Sequence, residues 1–259
     1  MLARDPVEAL EQAKSFMATH SLSDYCDEVA RPALNLGQKD AKRGVLEEGN
    51  KKILRESVES LFIDIAHEHW VSKREAHAAA FAPATKLPIL EKDQLALSWR
   101  TKEPLVLIGV RTELDEAAAT VLATLARIHG IATRTEHPEV LAAANLTKLD
   151  LSSAALICLS SIDTKTPAHI HYAARRVRSR APHAKLLIGV WSAIDDEVLA
   201  SLKDAANADY TARSFHEAAA IILEEATAQR THRFERLKSE DSAHIRDKIG
   251  QIESLRLAN

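Results

Sequence analysis

From Leu105 onward, short unbroken apolar runs alternate with amphipathic segments, with turn residues between them. LVLIGV (105–110), ALICL (155–159) and KLLIGV (185–190) are apolar on both faces of the pleat, the pattern of strands covered on two sides. IATRTE (131–136) and Ala208 to Ala212 read as shorter strands. Glu113 to His129 has helical period, with Ala118, Val121, Leu122 and Leu125 inward, and Gly130 ends it as a left-handed cap. Pro138 to Asn145 starts on proline, as does the helix that follows SSIDTKTP and ends in RRVRSR before Pro182. Asp195 to Ala206 and Phe215 to Gln229 complete the series. The strand–helix–strand unit from Ala154 to Trp191 closes right-handed and parallel.

Five strands in strict alternation with helices predict an α/β fold. The expected sheet is doubly wound, five-stranded and parallel, in the flavodoxin-like order 2-1-3-4-5. This domain spans 104–229. Before it, residues 1–70 read as a helical layer. Its first helix starts at Asp5-Pro6, with Val7, Leu10 and Met17 at helical spacing. The second runs from about Asp24 to Arg43, capped by Ser21 or Ser23, with Val29, Ala33, Leu34 and Leu36 apolar. Pro32 predicts a kink or a broken first turn there, and Gly44 ends it. The third, Glu47 to His69, places Ile53, Val58, Leu61, Phe62 and Ile65 on one face. Residues 71–103 carry Pro83 and Pro88 without a clean period and read as a linker with one short helix. Residues 230–259 are charged and helical in period (Phe234, Leu237, Ile245, Ile249, Ile252, Leu255).

Composition adds exclusions. A net charge of −3 gives no global drive toward nucleic acid or membrane. No apolar stretch reaches the ~18 residues of a membrane span, and MLARDPVEALEQ lacks the apolar core of a signal peptide. Cys26 and Cys158 have no spacing pattern, and Cys158 reads as a small core residue. A reducing cytoplasm is the expected compartment.

In an open parallel sheet, ligands bind beyond the carboxyl ends of the strands, at the switch point between strands one and three. The residues there are Arg111, Glu113, Asp115, Ser160, Ser161 and Trp191, which form the candidate ligand crevice. No turn carries the glycines needed to close backbone N–H groups on a phosphate. Glu113 and Asp115 offer paired carboxylates or, more simply, a helix N-terminus stabilised through its dipole. Ser160, Asp163 and His169 hold the ingredients of a nucleophile set without a nucleophile elbow. His67 with His69, and His169 with His171, are two apart, about 200° around a helix. Neither pair chelates from one face, so no metal site and no catalytic residue is predicted. Arg175, Arg176, Arg178 and Arg180, with Lys165 and Lys185, lie in a stretch without acids from Thr164 through Ile194. They read as a solvated helix face, or as a docking face for anionic headgroups or an acidic partner. Nucleic acid is not expected, since no aromatics are interleaved for base stacking.

Two resemblances add to this reading. ARIHGI (126–131), the serines at Ser160-Ser161 and LIGVW (187–191) resemble a cobalamin-binding module, which also joins a helical layer to a five-stranded sheet. The family's DxHxxG motif is not reproduced: its positions hold Glu113, Asp115 and Ala118, so the cobalt-ligating histidine is absent. DPVEALEQAKSFM, SLSDYCDEVARPALNLGQKDAKRGVLEEGNKKILRESVESL and the 154–191 stretch resemble the cytoplasmic C-terminal extension of autoinducer-2 exporter family (permease-like) transporters. Together they imply a non-catalytic regulatory or ligand-sensing domain, cytoplasmic and at the inner face of the membrane. Its partners would be the transporter's membrane portion or the membrane surface, and a small-molecule ligand. The alternative is a cobalamin-binding sensor or carrier lacking the usual histidine, with cobalamin as its cofactor; otherwise no cofactor is expected.

Overall fold

A computed structural model describes residues 6–75, 87–163 and 167–228. The predicted C-terminal helix 230–259 and Lys165 of the basic run lie outside the described residues. Five strands form the sheet: β1 (Leu105–Gly109), β2 (Thr133–Glu136), β3 (Leu156–Ser161), β4 (Lys185–Val190) and β5 (Tyr210–Ala212). All neighbours pair in parallel, in the order β2-β1-β3-β4-β5. This is the flavodoxin-like arrangement the alternation predicts.

Strand parity sorts the core into two layers. Leu105, Leu107, Leu156, Cys158, Leu187 and Ala212 point to one face. Val106, Ile108, Ile157, Leu159, Leu186, Ile188 and Val190 point to the other. Counting helices along the chain, α5 (Glu113–Ile128) and α9 (residues 215–228) cover the first face. Helices α7 (Pro167–Arg180) and α8 (Asp196–Ala206) cover the second. The expected helix from Pro138 is instead a 3-10 turn, Pro138–Leu141, and a short α6, Ala143–Leu146. The extended backbone of Ala142 (ψ 147) separates them.

The helical layer contains α1 (Pro6–Met17), α2 (Leu22–Tyr25), α3 (Arg31–Lys42) and α4 (Glu48–Glu75). Among the described residues it has no core of its own: Leu34, Leu54, Phe62 and Ile65 join the cluster that holds α5 and the sheet. Helix α5 is therefore sandwiched and buried nearly all round, and its alanines let both layers approach closely. The inward stripe of α4 is Leu54, Val58, Leu61, Phe62 and Ile65, whereas Ile53, expected inward, is 57% exposed. Leu54, not Ile53, keeps the i, i+4, i+7 phase with Val58 and Leu61. Leu36 likewise faces out, at 58% exposed.

The break predicted at Pro32 takes the form of one π-helical turn, Cys26–Ala30, joining α2 to α3. Proline has no N–H for the usual i to i−4 bond, and the chain widens just before it. Ser21 caps α2 with a full capping box. The π turn presents Asp27, whose two carboxylate oxygens accept from the backbone N–H groups of Phe215 (2.8 Å) and His216 (3.0 Å). The helical layer thus supplies the anion at the N-terminus of α9.

The second half of the expected linker belongs to the α/β core. Leu87, Leu90, Leu95, Ala96 and Trp99 are buried in its main cluster. Leu90 N–H donates to the His129 carbonyl at 3.0 Å, and Ala96 N–H to the Ala226 carbonyl at 2.8 Å. A short 3-10 turn, Leu97–Trp99, is the one helical piece there.

Candidate functional site

The carboxyl ends of β1, β3 and β4 end in a row of small residues. Gly109 pairs with Ser160, Ser160 with Gly189, and Gly189 with Ala212. All four share the face that carries α5 and α9. Over Gly109 the backbone of α5 comes in close: a Cβ there would lie 2.8 Å from Glu116 N. Over Gly189 lies the indole of Trp191, where a Cβ would come within 2.2 Å of the ring. The ring is fully buried and stacks on Phe215 with centroids 4.3 Å apart. Its Nε1–H donates to Ser160 Oγ at 2.8 Å, and Ser160 Oγ–H donates to the Asp115 carbonyl at 2.7 Å. Trp191 thus fills the hollow left by the small row and is not presented to a ligand.

Asp115 closes the other side. It is 2% exposed. Its carboxylate accepts from the N–H groups of Arg111 (3.1 Å), Thr112 (2.9 Å) and Ile162 (2.7 Å), completing a capping box with Thr112. Burial raises its pKa above the ordinary value against the pull of these donors. The role is to tie the first turn of α5 to the end of β3. Ser161 Oγ donates to the Asp163 carbonyl at 3.1 Å, and Arg111 is exposed. Glu113, predicted beside Asp115, turns away toward Arg55 and His137.

Helix α3 lies across these strand ends. Asn35 Nδ2–H donates to the Trp191 carbonyl at 2.8 Å, and Lys42 pairs with Asp163 at 2.7 Å. What remains between Gln38, Arg111, Thr112, Asp115, Ser161, Asp163 and His169 is about 20 Å³. That volume holds about one water, against the roughly 300–1,000 Å³ of a small-molecule pocket.

The arginines of α7 are largely engaged within the chain. Arg176 bonds the Leu141 carbonyl and lies 3.9 Å over the Tyr172 ring. Arg178 bonds the carbonyls of Ala184 and Asn207, both at 2.9 Å, and pairs with Asp209 at 2.5 Å. Arg180 reaches the carbonyls of Thr147 and Leu149 at 3.4 Å. Arg175 is exposed beside an open groove of about 560 Å³ that also touches Tyr172 and Asn207. The counter-ion of this face, Asp209, follows the acid-free stretch in sequence and joins it through β5. Burial raises the Asp209 carboxyl, but the Leu186 N–H, Arg178 and Lys185 outweigh it and leave its pKa below the ordinary value. Its contribution to stability is therefore present above the ordinary aspartate pKa of ~3.9 and is lost as pH falls through the lower folded value. Asp209→Asn is expected to lower stability at pH 7 and to flatten the acid limb of the curve, read by urea denaturation at a series of pH values.

The residues not singled out in the sequence are Asn35, Lys42, Arg55, Glu116, His137 and Phe215. Glu116 is the neighbour of Asp115 on α5; each of the others meets the site across a long separation, so no local spacing announced it.

No protein-family model matches this chain, and no curated protein matches it. Among solved structures it is similar to a novel cobalamin-binding protein from Desulfitobacterium hafniense DCB-2. The TM-score is 0.36 and the identity 8%, over 85% of this chain and 90% of that one. Overlap at that level transfers no residue role. Among the described residues no helix is long and apolar enough to cross a membrane.

Proposed function

We propose that this protein is a non-catalytic ligand-sensing module in which the helical layer closes over the carboxyl ends of the sheet and swings α3 away to admit a ligand. One observation carries the reading: α3 covers the switch point between β1 and β3, where this fold binds ligands, through a polar seam of Asn35 on Trp191 and Lys42 on Asp163. Such contacts contribute about 0.5–1.5 kcal/mol each, small enough for binding energy to shift the balance between closed and open states. Hydrogen exchange tests it. The amides of Arg31–Lys42 should exchange by a local opening that leaves α5 protected. Removing both contacts with Asn35→Ala and Lys42→Ala should speed that opening by about tenfold or more. Exchange of α3 only through global unfolding would overturn the reading.

The layered architecture favours a second reading, a cobalamin sensor or carrier. The residues present do not fit a corrinoid in the closed form: Trp191 fills the hollow, and the position of a ligating histidine holds Asp115, whose buried carboxylate is taken up by three backbone N–H groups. Mixing the protein with cobalamins and recording the visible spectrum after desalting separates the two, since retained colour supports the corrinoid and a colourless eluate counts against it. Association with a transporter-like membrane protein, at the cytoplasmic face, is part of the proposal on the sequence resemblance alone.

A further inference from the structure

Glu113 and Glu116 lie three apart on the first turn of α5, and so on one face. His137 enters that face from the residue just after β2. One ligand-type atom from each side chain lies within 4.8 Å of the other two. His137 Nε2 is 3.5 Å from Glu113 Oε1 and 3.5 Å from Glu116 Oε2. A tetrahedral ion with bonds of ~2.1 Å sets its ligand atoms about 3.4 Å apart, so two edges of such a site are already in place.

A second observation points the same way. Glu116 is only 9% exposed, and its Oε2, the oxygen that faces His137, is buried without a hydrogen-bond partner. A buried carboxylate oxygen without a donor is unfavourable. Capping of α5 does not account for it, because Asp115 makes the capping box. Charge is also left over. Arg55 answers Glu59 at 2.7 Å and the other oxygen of Glu113, Oε2, at 2.5 Å. Glu56 at 3.5 Å and the other oxygen of Glu116, Oε1, at 3.9 Å also face it, so four carboxylates share one guanidinium, an excess that a divalent cation would neutralise.

We propose that Glu113 Oε1, Glu116 Oε2 and His137 Nε2 bind a divalent zinc-class ion, with water in the fourth position. Mixed imidazole and carboxylate donors suit Zn²⁺ over Mg²⁺ or Ca²⁺. Without the ion, the Glu139 N–H donates to His137 Nδ1 at 3.2 Å, which leaves the ring proton on Nε2. Binding at Nε2 ends the bond from the Glu139 N–H and moves the ring's single proton to Nδ1. The Glu139 carboxylate is 4.0 Å from Nδ1, placed to receive it as a carboxylate behind a ligating histidine. The bound ion would clasp the end of β2 to α5 and, through Arg55, to α4. This inference is independent of the sensing reading.

The test is a calorimetric titration of the EDTA-treated full chain with Zn²⁺, with Co²⁺ as spectroscopic probe. One equivalent is expected to bind, raise Tm and give Co²⁺ the intense visible bands of a tetrahedral site. Glu116→Gln and His137→Ala are each expected to weaken binding by at least about tenfold. A wild-type Co²⁺ spectrum like that of the aquo ion overturns the proposal without any variant. So does undiminished binding in either variant, since the histidines elsewhere in the chain would then be the ligands.

Discussion

Trp191→Ala is expected to lower stability by about 3–5 kcal/mol, the range for removing a fully buried large aromatic. The indole is the largest fully buried side chain among the described residues, and the substitution removes at once its stack on Phe215 and its bond to Ser160. Urea denaturation measures the loss. A companion variant shows where the volume lies. Gly189→Ala alone overpacks the ring, at a cost of about 1–3 kcal/mol, because its Cβ would come within 2.2 Å of Trp191. In the Trp191→Ala background that conflict is gone, and the same substitution should be nearly neutral. Strict additivity in this cycle would mean that the ring does not sit over Gly189.

Gly130→Ala is the second large effect. Gly130 has φ +93, and a Cβ on it would lie 2.0 Å from the Leu90 carbonyl oxygen. Strain in this region of φ costs about 1–3 kcal/mol. The clash is with backbone, so the whole strap around Leu90 must shift. That breaks the Leu90–His129 bond and the bond from His129 Nδ1–H to the Pro88 carbonyl, at 3.0 and 2.9 Å. A loss of about 3 kcal/mol or more is expected. Hydrogen exchange should show protection lost first at Leu90 and at the end of α5. A variant with wild-type stability would mean that this strap does not hold the C-terminus of α5.

The sheet and its order were legible because parallel strands buried on both faces leave continuous apolar runs, as in LVLIGV and KLLIGV, and helices must intervene between them. Much of the helical layer was legible for the same reason of period. The phase of α4 was not, since Ile53 and Leu54 are equally apolar and only the packing on α5 chooses between them. Residues 87–104 had no period to read. They are held by backbone bonds and by separate apolar contacts at Leu87, Leu90, Leu95 and Trp99. The strand-end residues were found from the topology alone, but their roles were not. Whether Trp191 opens onto a pocket or fills one depends on the register that lines up Gly109, Ser160, Gly189 and Ala212. His137 lies beyond any local spacing from Glu116, and Asp209 lies outside the basic stretch it neutralises. In each case the missing information was a contact between elements.

The Asp27 carboxylate at the head of α9 has a consequence for how the chain is made. It waits for amides 188 and 189 residues further on, and Asn35 waits for a carbonyl 156 residues on. As the chain leaves the ribosome, the helical layer emerges before the sheet, and Leu34, Leu54 and Phe62 have no complete core to enter until the sheet and α9 follow. The helical layer is made before the sheet it packs on and secured after it, and in that interval its exposed apolar stripe is open to a chaperone.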